Sequence, residues 1–139
     1  MPTQLNDVMQ INLNKNTDEF GTLIAIEQND SIPIEIKRAY YVYNSGGNVR
    51  GNHAHRLTKQ VLICINGKIV VTCSDGIDSK SFTLCNPETA IFVPELIWDS
   101  VEYCTDDSVL LVFANRSYDK SDYILDLDEF KEIKTQSLQ

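Results

Sequence analysis

A chain of 139 residues, 42% of them hydrophobic, is long enough for one ordinary core, and we read residues 1–139 as a single domain. Its net charge of −8 excludes non-specific nucleic-acid binding, which needs a basic footprint, while leaving open a locally basic pocket for a phosphorylated ligand. No apolar run approaches a membrane span, and the start at Met1–Asp7 has neither a basic nor an apolar leader segment, so neither membrane insertion nor export is expected.

In chain order the pattern is β almost throughout. Gly21–Ile26 reads as a strand, Asn29–Pro33 as a turn, and Ile34–Tyr43 as a long alternating strand rich in β-branched and aromatic residues. Asn44–Gly47 is a loop. Gln60–Ile65 is a strand that Asn66-Gly67 turns into Lys68–Cys73, which predicts a hairpin. Ser74–Gly76 makes the next turn, and Ser81–Leu84, Ala90–Val93 and Ser108–Phe113 complete the strands. Only the tail, from about Ser121 to Ile133, has room for a helical turn or two. Short strands with regularly spaced turns mean a sandwich or barrel. The four cysteines, Cys64, Cys73, Cys85 and Cys104, are scattered through apolar runs without a Cys-x-x-Cys, and read as small buried hydrophobes in a reducing cytoplasm.

The chain's two histidines, His53 and His55, stand one residue apart between Gly47 and the apolar run that begins at Gln60. In an extended segment, side chains at i and i+2 share a face, so both imidazoles would enter one cavity. Imidazole exchanges protons near neutrality or offers a neutral nitrogen to a metal. Arg38 lies in an alternating strand and Arg50 is close to the histidines. Both suit a bidentate hold on phosphate, although exposed arginines are more often solvated surface. Tyr41 and Tyr43 share one face of their strand and Tyr40 the other; a phenol facing the cavity would donate to a developing oxyanion. Trp98 is core or pocket wall. Asp99 is a loop acid, a proton relay or a metal ligand.

The spacing Gly47-x5-His53-x-His55-x4-Gln60-x6-Gly67 is that of the first cupin signature, with Gln60 where metal-binding members usually carry Glu. Pro94-Glu-Leu-Ile-Trp-Asp99 stands where the second signature would be, with Asp99 in its histidine slot. The expected fold is therefore all-β, a cupin-type jelly-roll barrel with a short C-terminal helical segment.

More specifically, the chain resembles the nucleotide-sugar 3,4-ketoisomerases, the WxcM-like cupins that act on dTDP-4-keto-6-deoxyglucose. The resemblance runs through Gly21–Glu27, Ile32–Arg38, Tyr40–Tyr43, Arg50-Gly-Asn-His-Ala-His55, Gln60–Gly67, Phe92-Val-Pro94, Trp98, Ser117–Ile124 and Asp128-Glu-Phe130. It implies a metal-free homodimer whose His53 and His55 move protons on the sugar, with Arg38 and Arg50 on the pyrophosphate. Asp99 would join the catalytic pair, and Tyr41, Tyr43, Gln60 and Trp98 would line the substrate site. No cofactor is implied, and no Gly-x-Gly-x-x-Gly fingerprint for a dinucleotide occurs. The implied partner is a dTDP-linked 4-keto-6-deoxy sugar, whose product an aminotransferase would carry on to 3-amino-3,6-dideoxyhexoses of surface glycans such as lipopolysaccharide. Phe20 and Asp99 depart from the family, whose members carry Arg or Tyr and His or Arg at those positions, which go with the C4 epimer made. Two other readings compete. One is a metal-dependent cupin with His53, His55 and Asp99 as a facial triad for Fe(II). The other is a sugar-nucleotide-binding domain without activity.

Overall fold

A computed structural model describes residues 2–137. Its strands are β1 (Met9–Asn12), β2 (Asn16–Asp18), β3 (Gly21–Leu23), β4 (Arg38–Val42), β5 (Val49–His55), β6 (Gln60–Asn66), β7 (Ile69–Ser74), β8 (Ser79–Leu84), β9 (Thr89–Val93), β10 (Trp98–Tyr103), β11 (Val109–Ala114) and β12 (Tyr123–Ile124). One helix, α1 (Leu127–Ser137), follows them. Two five-stranded sheets form, in the orders β1-β9-β6-β11-β4 and β12-β5-β10-β7-β8, and β2-β3 is a separate hairpin. This is jelly-roll layering of two facing sheets rather than a closed barrel. No ladder joins the two sheets among the described residues.

Alternation builds the space between the sheets. On β7, Ile69, Val71 and Cys73 are buried while Val70, Thr72 and Ser74 are partly exposed; on β11, Leu110, Val112 and Ala114 are the buried set. All of these buried side chains but Ala114 pack with Leu62, Cys64, Ile91, Val93, Val101 and Tyr103 into one core, where each buried Val, Leu or Ile contributes roughly 1.5–3 kcal/mol. β6 is buried on both faces, which is why Val61–Cys64 reads as an unbroken apolar run. Its outward residues Val61 and Ile63 are covered by Leu13, Ile32 and Ile34. Outside the second sheet, α1 lays Phe130 over Ala54 and Ile124. The helix begins after Asp126, whose carboxylate accepts the Asp128 N–H at 3.0 Å.

Several elements differ from the pattern reading. The strand expected over 21–26 is ordered as strand only to Leu23, because Ile24 and Ile26 turn onto the outer face of the first sheet. The one expected over 34–43 starts at Arg38, since Ile34 is taken up by the same outer cluster. Asn66-Gly67 does not make a hairpin: β6 and β7 lie in different sheets. Gly67 has φ +76, and the Lys68 carbonyl accepts from the Cys104 N–H, which continues the β7–β10 pairing, and from the Ser108 hydroxyl, not from β6. β1 and β10 carry no expected strand. In β10 the inward residues are Asp99, Val101 and Tyr103, and the buried acid breaks the apolar alternation. The helix is longer than the expected turn or two.

Candidate active site

The two sheets end at β4 on one side and β12-β5 on the other, and the slot between these edges holds the polar part of the inter-sheet space. β5 reaches it through an irregularity. Asp99 pairs with His53 but Ser100 pairs with Gly51, so Asn52 is an extra residue. Gly51 and Asn52 take φ +86 and +57. A Cβ on Gly51 would stand 3.2 Å from the backbone oxygen and from Oδ1 of Asp99, so glycine suits both the conformation and the approach. The extra residue also changes which face Arg50 shares. Simple alternation separates it from His53; the bulge puts Arg50 opposite Val101 and His53 opposite Asp99, both inward positions.

His53 and His55 share one face as expected, their rings 5.0 Å apart and nearly perpendicular. His55 is buried and His53 half-buried. Burial lowers the pKa of both, His55 to about 4 with the neighbouring His53 adding to the effect, while the Gly51 backbone works the other way on His53. Both imidazoles are therefore neutral near pH 7.

Asp99 faces them. It is 4% exposed, and its Oδ2 is buried without a hydrogen-bond partner. Burial pushes its carboxyl up to about 7. Its charge contributes to raising Tyr40, Cys73 and Tyr103, which places it among those three side chains. Arg38 stacks its guanidinium 4.6 Å from the Tyr40 ring and 5.2 Å from the Tyr118 ring. Gln60 is buried and donates from Nε2 to the Tyr40 hydroxyl at 3.2 Å. The slot thus brings together Arg38, Gln60, His53, His55 and Asp99, with Arg50 exposed further along, beside Tyr103.

Three expected site residues lie elsewhere. Tyr41 and Tyr43 are 68% and 60% exposed, on the outer face of the first sheet; Tyr40 is the inward phenol of β4. Trp98 points opposite to Asp99, outside the second sheet, with its ring 5.6 Å from Phe130. It is helix-packing core. Phe20 is 89% exposed at the tip of the β2-β3 hairpin. Among the described residues no three His, Cys, Asp or Glu side chains are grouped to hold an ion. Two residues were missed as site components. Tyr40 was visible as the alternative face of its strand. Tyr123, with its ring 5.2 Å from His53 and 4.5 Å from His55, had no periodic signal because β12 is only two residues long.

Comparison with known proteins now bears on this arrangement. The family model FdtA, described as WxcM-like, C-terminal, matches residues 6–135. A TDP-4-oxo-6-deoxy-α-D-glucose 3,4-oxoisomerase from Aneurinibacillus thermoaerophilus is 40% identical over 122 residues, 87% of this chain and 88% of the relative. The chain belongs to this family. Among solved structures, a 3,4-ketoisomerase from Helicobacter canadensis is 35% identical with a TM-score of 0.90, over 93% of this chain and 98% of that one. The sugar 3,4-ketoisomerase QdtA of Thermoanaerobacterium thermosaccharolyticum, solved with TDP, is 31% identical with a TM-score of 0.93, over 98% and 100% of the two chains. A histidine-to-asparagine variant of QdtA has been solved with TDP-4-keto-6-deoxyglucose. The family is one of isomerases, and this chain is a member.

Proposed function

We propose that the chain converts dTDP-4-keto-6-deoxyglucose into a dTDP-3-keto-6-deoxyhexose by proton transfer through an enediolate. The observation that carries this reading is a pair of neutral imidazoles on one face of β5, with a buried carboxyl whose Oδ2 lacks a hydrogen-bond partner opposite His53 in the strand pair. The hydrogen on C3 is acidified by the C4 ketone. Its removal gives an enediolate over C3 and C4; the O3 proton passes to O4, and a proton added at C4 leaves the ketone at C3. No electron is gained or lost overall.

The two imidazoles differ in burial, and that divides the work. His53, half-buried and opposite Asp99, takes the C3 proton. His55, held neutral by burial, hydrogen-bonds the enediolate oxygens. Asp99, its carboxyl raised to about 7 by burial and placed opposite His53 in the strand pair, is the acid that supplies the proton to C4. Tyr40, oriented by Gln60 and Arg38, is a second donor to the developing oxyanion. Arg38, stacked beside Tyr40 and Tyr118, and Arg50 are the cationic groups for the diphosphate.

The reading extends to a homodimer working in the cytoplasm on deoxysugars for lipopolysaccharide and related surface glycans. An apolar groove of about 440 Å³ outside the first sheet, lined by Ile24, Ile26, Ile63, Ile65 and Leu111, suits a second copy. Cys64 and Cys73 are buried as expected, whereas Cys85 and Cys104 are exposed; four free thiols suit a reducing compartment.

Proton NMR of dTDP-4-keto-6-deoxyglucose with the EDTA-treated protein in D2O tests the activity. A 3-keto product carrying deuterium at C4 is expected, and the C4 coupling names the epimer. An unchanged substrate with no exchange at C3 would reject the assignment.

A further inference from the structure

The segment that follows β11 is tied down more firmly than a two-residue strand requires. Tyr123 pairs with His55 and Ile124 with Ala54, extending the second sheet by one short edge. Just before it, the Asp122 carboxylate is buried and accepts from the Leu57 N–H at 2.8 Å, the Thr58 N–H at 3.2 Å and the Thr58 hydroxyl. Arg56 donates its backbone N–H to the Asp122 carbonyl and its guanidinium to the Tyr123 carbonyl, at 2.8 and 2.9 Å, and also pairs with Glu129 at 2.8 Å. Tyr118 closes over the far side, its ring 5.8 Å from that of Tyr123. All these contacts fix the position of one side chain, whose ring lies at 73° to His53 and 58° to His55.

We infer that Tyr123 is the positioning residue of the histidine pair: its ring sets the planes of both imidazoles and excludes water from them, and the Asp122–Arg56 clamp holds that ring in place. Directly opposite residues of an antiparallel pair share a face, so Tyr123 is delivered to the imidazole side by register alone. An aromatic ring meets an imidazole with a preferred edge-to-face geometry, which an aliphatic side chain cannot impose. The Tyr123 ring, edge-on to His53 and tilted against His55, explains how two adjacent imidazoles keep nearly perpendicular planes without a hydrogen bond between them. The other charged or titratable groups facing the pair are Arg38 and Tyr40 on β4, Asp99 on β10 and Asp122 beside β12. These remain when Tyr123 is changed.

The kinetic part of the test rests on the ketoisomerase reading; the titration part does not. In Tyr123→Leu, NMR titration of the imidazole protons should show both histidines taking up protons about tenfold more readily than in wild type, because water reaches them. Turnover of dTDP-4-keto-6-deoxyglucose should fall at least tenfold in kcat with KM within threefold. Tyr123→Phe, which keeps the ring, should restore both readouts to within threefold of wild type. Wild-type imidazole titration in the leucine variant would overturn the inference, and so would a phenylalanine variant as impaired as the leucine one, since the hydroxyl would then be what matters. If Tyr123→Leu does not fold, Tyr123→Met, unbranched, flexible and without an aromatic face, carries the same expectations. A wild type with no turnover but with the expected titration changes would reject the ketoisomerase reading and leave this inference standing.

Discussion

The space between the sheets has two halves built by the same strands in the same alternation. Toward one end, Leu62, Cys64, Ile69, Val71, Val101 and Leu110 interlock as an apolar core. Toward the other, the next inward positions are Gln60 on β6, Tyr40 and Arg38 on β4, His53 and His55 on β5, and Asp99 on β10. The strands do not change between halves; only the chemistry of the inward side chains does. One half stabilises the fold by excluding water, and in the other the resulting low dielectric holds the imidazoles neutral and raises the Asp99 carboxyl to about 7. Substitutions in the two halves should therefore separate stability from chemistry.

The largest effect is expected in the polar half. His53→Asn should lower kcat by ~10²–10⁴-fold, the usual worth of a positioned general base, and abolish deuterium exchange at C3 while leaving the circular dichroism spectrum unchanged. Its counterpart in the apolar half is Leu62→Ala. Leu62 is 2% exposed, and truncating it should cost about 2–5 kcal/mol of stability. Denaturant unfolding reads that cost; kcat measured below the melting transition should change less than threefold. A Leu62→Ala enzyme that keeps its stability but loses turnover would break the division between the halves.

Asp99→Asn sharpens the comparison through pH. A carboxyl raised to about 7 in the fold binds more protons there than in the unfolded chain between roughly pH 4 and 7, so it costs stability progressively as pH rises through that window. His55, lowered to about 4, acts in the opposite sense: the unfolded chain binds its proton first as pH falls below about 6.5, and stability declines from there toward pH 4. The two partly cancel in wild type. Removing the carboxyl leaves the histidine effect alone, so Asp99→Asn should gain up to about 4 kcal/mol over wild type at pH 8 and lose that gain by pH 4. Melting curves across pH check this. The same variant should lose the pH dependence of turnover near 7 and slow proton return to C4; wild-type rate, product ratio and pH profile together would remove Asp99 from the mechanism.

Where the sequence was legible, a short-range rule sufficed. The shared face of His53 and His55 follows from a period of two, and the apolar strands β6, β7, β9 and β11 from composition. What was illegible depended on partners distant in the chain. Whether Asn66-Gly67 closes a hairpin is decided by the loop around Cys104–Ser108, which takes up the Lys68 backbone. The inward turn of Arg50 is decided by one extra residue at Asn52, invisible to a count of alternation. Trp98 read as core or pocket wall; adjacency to Asp99 in a strand puts it on the opposite face, and α1 was needed to show that it packs against Phe130. The choice between Tyr40 and Tyr41 is of the same kind. The alternation was plain, but which face was inside depended on the partner strand.

That choice gives the smallest predicted effect and a direct test of the face assignment. Tyr40 is paired with Val112 and Tyr41 with Leu111, so they sit on the inner and outer faces of the first sheet. Tyr40 receives the Gln60 amide and lies beside Arg38, and burial pushes its phenol up to about 12, with Asp99 adding to the shift. It therefore stays protonated and able to donate throughout the working pH range. Tyr40→Phe leaves the ring under the Arg38 guanidinium and removes one donor, so kcat should fall by roughly 10–100-fold with little change in KM, below the ~10²–10³-fold typical of a dedicated oxyanion donor because His55 still serves the same oxygens. Tyr41→Phe removes a hydroxyl that faces away from the slot and should leave kcat within twofold. Steady-state kinetics on the two variants decide the matter. Equal losses, or a larger loss at Tyr41, would mean that the outer face of β4 meets the substrate and that the inner face is only core.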